Sequence, residues 1–329
     1  MNTTKTYRYG VSVFLLFLVF LSSPLFARGG GERDLDIRLI GSGEAGMTIR
    51  HMLGETTIPD DPRRIVVLAE EGLLLDLIEL GIKPVFSLAN EPADIALAEP
   101  DELEGIQITR SAEGISMEDL VNLEPDLIIG HEFFVERGGY NRISRIAPTV
   151  VVRSDDPAEA FIQTAMIFGL RDEAESSVED FRTEFKRAAD SLAGRIPSIS
   201  VATVYPGANI ALWYRSDVPV PSQLEALGAP LRPGDEIWGT LRPRQGRAFI
   251  SSERLDLIDG QILVLLQSPF LEGEMEDLAR LTEDPLWQTI PAVLNDRVII
   301  MDRLGYPGFR GQRRLLAELV GILEVEIRK

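Results

Sequence analysis

Apolar positions along this chain follow two alternating periods. Short runs of consecutive aliphatic and β-branched residues predict buried strands at residues 64–68 (RIVVL), 126–130 (DLIIG), 149–152, 198–204, 261–267 (QILVLLQ) and 297–301 (RVIIM). Residues 83–86 read as a further strand. Between the strands, residues 72–80, 117–123, 141–146, 221–227 and 312–326 carry helical spacing. Gly81 stands where a left-handed cap belongs, and Glu124-Pro125 ends the second helix. Strands alternating with helices imply parallel pairing with helices on both faces, an α/β fold.

The alternation stops between residues 157 and 196, which offer no strand and are rich in Ala, Glu, Asp, Arg and Lys. Residues 158–168 and 173–193 are helical in pattern, punctuated by Gly169-Leu170-Arg171-Asp172. A helix-only stretch between two α/β segments predicts a rigid connector over 155–196, with one lobe at 35–154 and another at 197–329. There is no strict internal repeat and no low-complexity segment.

Residues 41–46 (GSGEAG) fit the GxGxxG dinucleotide fingerprint, and Asp60 and Asp61 stand near the distance at which an acidic partner is needed. That fingerprint has to open a helix. Here it leads instead into Met47 to His51, a turn at Gly54, then Thr56-Thr57-Ile58: short, β-branched and hairpin-like. The nucleotide reading is rejected.

Composition narrows the function. Residues 1–27 have the layout of a secretory leader: Lys5 and Arg8, an apolar run over 11–21, then small residues ending at Ala27. The apolar core is shorter than the ~20 residues of a membrane span. There is no cysteine, which removes disulfides, thiolate sites and the acylated cysteine of a bacterial lipoprotein. An exported, unlipidated protein is retained only behind a second membrane, so a periplasm is the expected location. The formal net charge of −19 argues against nucleic acid, whose phosphates need a basic surface. With two histidines, His51 and His131, a three-histidine metal site is excluded, and no GxSxG elbow supplies a serine nucleophile. No catalytic residue, resident cofactor or metal is assigned.

Four passages resemble the ABC-importer substrate-binding proteins that carry iron–siderophores, haem or cobalamin. They are residues 54–68 (GETTIPDDPRRIVVL), 115–130 (ISMEDLVNLEPDLIIG), 143–152 (ISRIAPTVVV), and Asp284-Pro-Leu-Trp287 through Pro291-Ala-Val and Arg297-Val-Ile. Their order and spacing make the combination specific. The resemblance implies two Rossmann-like lobes joined by a long rigid helix, a ligand cleft between them, no enzymatic activity, a monomer, and an ABC permease as partner. It also gives meaning to an echo between Ile115-Ser-Met-Glu118-Asp-Leu and Ile250-Ser-Ser-Glu253-Arg-Leu. Acids in a helix's first turn ordinarily complement its dipole. In this family one such glutamate on each lobe docks on permease arginines, and Glu118 and Glu253 match those positions.

Ligands in such folds meet loops at the carboxyl ends of strands. That rule selects His131 and Phe134 after the DLIIG strand, and Tyr205 after the first strand of the second lobe. A ferric siderophore calls for aromatic walls and arginines, because guanidinium forks onto anionic oxygens and stacks on rings. The strand-end rule also selects Trp238 and Arg303 through Tyr306; the resemblance adds Arg110 and supports Trp238 and Tyr306, with Trp213 and Arg215 on the same wall. The expected function is capture of an iron–siderophore-type chelate. The rivals are haem or cobalamin on the same fold, with His131 as the haem candidate, and an exported α/β hydrolase.

Overall fold

The computed structural model describes residues 37–329 apart from 44–45, 91, 154–155, 215–217, 270 and 302–304. The leader expected over 1–27, and Arg215 and Arg303 of the expected wall, lie outside the described residues. The described chain opens with an antiparallel sheet of β1 (Arg38–Gly43), β2 (Gly46–His51) and β3 (Gly54–Ile58). The glycine fingerprint therefore sits at a strand–strand tip with no helix behind it, as its β-branched sequel requires.

The first lobe is a wholly parallel sheet of β4 (Ile65–Leu68), β5 (Phe86–Ala89), β6 (Gln107–Arg110), β7 (Leu127–His131) and β8 (Thr149–Val152), in the order β6-β5-β4-β7-β8. Strands β4, β5 and β8 are buried at every position, the signature of a sheet covered on both faces. Gly130 is required in β7: a Cβ there would lie 2.6 Å from Val135 Cγ2 and 2.7 Å from the Leu68 carbonyl oxygen. The strand expected at 83–86 begins instead at Phe86, because Lys83 and Pro84 are taken up in leaving the Gly81 cap (φ +73°).

The second lobe holds β9 (Ile199–Tyr205), β10 (Asn209–Trp213), β11 (Leu231–Arg232), β12 (Arg247–Ile250), β13 (Ile262–Leu266) and β14 (Val298–Met301). The order is β12-β10-β9-β13-β14, with β11 also on β9. Here the expectation of parallel pairing is corrected: β10 runs antiparallel to both β9 and β12, since the tight turn after Tyr205 folds the chain straight back as a hairpin.

The connector is also not one helix. Residues Pro157–Ile167 and Arg171–Leu192 form two helices, broken at Gly169 (φ +70°). The first begins at an Asp156 cap, whose Oδ1 accepts the Ala158 amide at 2.8 Å, with Pro157 in its first turn. It straddles the lobes: Ala160 and Ile167 join the first-lobe core, while Phe161 and Ala165 join the second. The second helix buries Ala174, Val178, Phe181, Phe185 and Leu192 wholly in the second-lobe core.

A further seam joins the lobes where the helix Glu71–Glu79 meets the closing helix Gly308–Arg328. The backbones approach so closely that a Cβ on Gly308, itself at φ +68°, would lie 2.7 Å from the Gly72 carbonyl oxygen. The Phe309 amide donates to Asp76 Oδ1 at 2.8 Å. Arg310 donates to Glu79 (2.8 Å) and bidentately to Glu102 (2.6 and 2.8 Å), and Arg313 donates to Glu79 (2.6 Å). Burial pushes the Asp76 carboxyl up to about 8, with the neighbouring Glu79 charge acting the same way and the Phe309 amide opposing.

Candidate ligand-binding site

Strand order reverses at β4/β7 in the first lobe and at β9/β13 in the second, and open α/β sheets receive ligands at the carboxyl ends beside such reversals. In the first lobe these ends bring Glu70, Glu71, Asn90 and His131 forward. The first three are tied to one another: Glu71 Oε1 accepts the Asn90 amide, and Asn90 Nδ2 donates to Glu70 Oε1 at 3.0 Å. Burial raises the Glu70 carboxyl above its ordinary value, the Glu71 charge adds to this, and Asn90 offsets part of it.

His131 is half-buried, and burial alone lowers its imidazole to about 4, so the ring is neutral near pH 7. It caps a helix over Glu132–Gly138 where a mouth loop was expected. Phe134 is half-buried against the first-lobe core and meets Phe133 edge-on at 5.1 Å; Phe133 itself is 66% exposed. Arg110 ends β6, an outer strand of the sheet, and is exposed.

The second lobe presents a different surface. The ladder pairs Arg247 with Trp213 and Phe249 with Ala211, and β10 in turn sets Trp213 opposite Val201 and Ala211 opposite Thr203. Because side chains alternate along strands, Thr203, Tyr205, Trp213, Arg247 and Phe249 all lie on one face. The half-buried Arg247 guanidinium carbon is 5.4 Å from the Phe249 ring centre, 5.6 Å from Trp213 and 5.9 Å from Tyr205. Its Nη1 donates to the Tyr205 hydroxyl at 3.4 Å. Phe249, 56% exposed, opens this face to solvent. Burial raises the Tyr205 phenol above its ordinary range, and the Arg247 charge offsets part of that rise.

Two expected wall aromatics are corrected. Trp213 is 3% exposed and its indole N–H donates to Thr203 Oγ1 at 2.9 Å, so it forms the floor beneath Arg247 and is already satisfied. Tyr306 is fully buried. Its left-handed backbone (φ +60°) turns the ring inward, its amide donates to Asp94 Oδ1 at 3.3 Å, and its hydroxyl donates to Glu318 at 2.6 Å. Trp238 is half-buried on the helix Asp235–Thr240, 5.4 Å from the Tyr214 ring, and packs against the second-lobe core. Arg247 and Phe249 were not anticipated from the sequence.

The two glutamates share a local setting. Glu118 is exposed in the first turn of Met117–Asn122, where Ser116 accepts the Asp119 amide at 3.0 Å and so performs the capping. Glu253 is exposed in the first turn of the 3₁₀ helix Ser252–Leu257. Among the described residues neither makes a side-chain hydrogen bond or ion pair.

Comparison with known proteins agrees with this architecture. The Fe(3+)-citrate-binding protein YfmC of Bacillus subtilis (strain 168) is 26% identical over 270 residues, 78% of this chain and 79% of that protein. The iron(3+)-hydroxamate-binding protein FhuD of the same organism is 24% identical over 303 residues, 91% of each chain. A solved FhuD-fold structure, a periplasmic binding protein component of a Fep/Fec-like ferrichrome ABC transporter from Bacillus subtilis, superposes with a TM-score of 0.63. It is 22% identical and the match covers 80% of this chain and 97% of that one. A family model described as periplasmic binding protein matches residues 66–303, and the chain belongs to that family.

Proposed function

We propose that this protein captures a ferric siderophore-type chelate in the periplasm and delivers it to an ABC permease. The observation that carries this reading is Arg247, a guanidinium set among Tyr205, Trp213 and Phe249 on one face of the second-lobe sheet, reaching from the edge strand β12 to the Tyr205 hydroxyl at the carboxyl end of β9. A ferric chelate is a bulky complex with an oxygen-rich, partly apolar shell. Aromatic faces contact its organic periphery and a guanidinium binds its oxygens. The named ligands of the aligned relatives, ferric citrate and ferric hydroxamate, belong to this chemical class. Tyr205, Trp238, Arg247 and Phe249 form the second-lobe wall; His131, Phe134 and Arg110 are the first-lobe candidates. Glu118 and Glu253, one on each lobe and free of local partners, engage permease cations. No residue performs covalent chemistry in this account.

Native mass spectrometry of the protein purified from its own host tests the reading, together with fluorescence titration of the stripped protein. The expected result is an iron-containing adduct, and quenching by ferric chelates but not by ferric ion alone. Haem binding with a Soret shift, and no response to any ferric chelate, would overturn it.

A further inference from the structure

We infer that the ligand arrives as an anion and that Arg247, supported by Arg242 and Arg244, selects it by charge. The inference rests on the chelate reading above and narrows it to one of the two ligand classes that the relatives divide between them.

Three arginines, Arg242, Arg244 and Arg247, fall within six residues of a chain that carries 52 acidic against 33 basic side chains. Among the described residues no carboxylate lies within ion-pair distance of any of them. Other arginines of the same lobe are neutralised: Arg232 by Asp259, Arg280 by Asp277 (2.6 Å), Arg297 by Glu326 (3.6 Å) and Arg314 by Glu318 (2.7 Å). In so acidic a chain, a cluster of unneutralised guanidiniums contrasts with the pairing around it.

The segment is also shaped. Arg244 and Arg247 exchange backbone hydrogen bonds (2.8 and 3.1 Å) around Gln245 and Gly246, both in the left-handed region (φ +51° and +69°). That turn delivers Arg247 to the start of β12, on the face it shares with the three rings. A half-buried cation carries a desolvation cost unless an anion or polar group answers it. Three rings and one phenol at 3.4 Å answer it in part. Glu274, whose charge reaches Tyr205, accepts the Ser268 amide at 2.8 Å and does not pair with Arg247. The missing partner is therefore an anionic oxygen, for which a guanidinium offers a planar fork.

The charge of a ferric chelate depends on its donors. Hydroxamate donors neutralise ferric iron, whereas catecholate and hydroxycarboxylate donors such as citrate leave the complex negative. The uncharged class gains little from three free guanidiniums; the negative class gains both attraction and steering.

Isothermal titration calorimetry of the full mature protein with ferric citrate, a ferric tris-catecholate and a ferric tris-hydroxamate provides the test. The wild type is expected to bind an anionic chelate at least about tenfold more tightly than the hydroxamate. Arg247→Gln is expected to weaken that anionic complex about 30-fold, the scale of one charged hydrogen-bonded contact, and to change hydroxamate binding less than about threefold. Raising ionic strength from about 0.01 to about 1 M, which shortens the screening length from about 30 to about 3 Å, should weaken the anionic complex selectively. Should Arg247→Gln melt abnormally, the doubly substituted Arg242→Gln/Arg244→Gln protein carries the same comparison at exposed positions, with about a fivefold selective loss. Hydroxamate bound as tightly as the anionic chelates, or both classes weakened equally by Arg247→Gln, overturns the inference while leaving the chelate reading intact. No binding of any ferric chelate overturns both.

Discussion

The two lobes share a layered α/β plan and differ in what they place at their strand ends. In the first lobe the sheet is entirely parallel and covered on both faces. Glu71, Asn90 and Glu70 satisfy one another, and His131 is buried enough to stay neutral. In the second lobe a hairpin interrupts the parallel pattern and adds β10 and β12 to one side. That addition spreads Tyr205, Arg247 and Phe249 over one open face and, among the described residues, leaves the arginine without a carboxylate. A parallel sheet buried on both faces exposes only loop residues at its rim, whereas antiparallel side strands offer a flat face. Under the proposed function, this contrast assigns charge recognition to the second lobe, and shape with a self-contained polar rim to the first.

What the lobes have in common is an exposed first-turn glutamate with no side-chain partner among the described residues, Glu118 in one and Glu253 in the other, so the largest expected effect tests that symmetry. Replacing both Glu118 and Glu253 by Arg is expected to cut chelate uptake by cells about 100-fold, because like charges set against permease cations cost several kcal/mol. Affinity for the chelate in solution should be unchanged. Each single reversal should give a comparable partial loss. If one reversal were silent, docking would belong to a single lobe; a fall in affinity matching the fall in uptake would remove the docking role.

Legibility in the sequence followed burial. Strand β8 runs over the residues expected from its apolar run, and β4, β7 and β13 differ from expectation by a residue or so at their ends. Strands buried on both faces need unbroken apolar runs, and such runs announce themselves. Strands β10 (NIALW) and β12 (RAFI) did not: β10 is buried beyond Asn209 but offers only a short apolar run, and the half-exposed β12 carries only a fragment of alternation. Arg247 was missed for the same reason: an arginine opening a four-residue strand looks like ordinary surface charge. The available signal was RPRQGR, three arginines close together in an acidic chain. Tyr306 and Trp213 erred the other way. Their place along the chain is legible, but whether a ring points to solvent or to core depends on backbone dihedrals and pleat that residue type does not encode.

The seam between the lobes is the next target. Arg310 and its partners Glu79 and Glu102 are each about one-fifth to one-quarter exposed, in contrast to the open Lys186–Asp190 pair on the second-lobe helix. Arg310→Met removes the cation of Glu102 and leaves Glu79 with Arg313 alone, and should cost about 2 kcal/mol in denaturant unfolding, less than a fully buried pair because water still reaches the site. Lys186→Met should stay within about 0.5 kcal/mol. Equal costs would mean that the lobes are held by the straddling helix Pro157–Ile167 and its Phe161–Phe309 stack at 4.6 Å, with the ion pairs incidental.

The smallest effect per step of pH concerns Asp76, which accepts the Phe309 amide from the opposite lobe while buried beside Glu79. Its pKa stands at about 8 in the folded protein against an ordinary value of 3.8. Between those values the folded state holds a proton that the unfolded chain has released. The contribution is fully present below pH 3.8, declines as pH rises, and is gone once pH passes about 8. Asp76→Asn keeps an oxygen for the Phe309 amide and removes the titration. Relative to wild type, the variant should therefore gain stability steadily from about pH 5 to about pH 8, on the order of 1 kcal/mol per pH unit at most, as read from urea midpoints. The gain should be confined to this window and flatten above it. A constant offset between the two proteins across the window would show that Asp76 is already ionised when folded. The lobe seam would then rest on a charged hydrogen bond, and acidification would loosen it where a neutral acid predicts tightening.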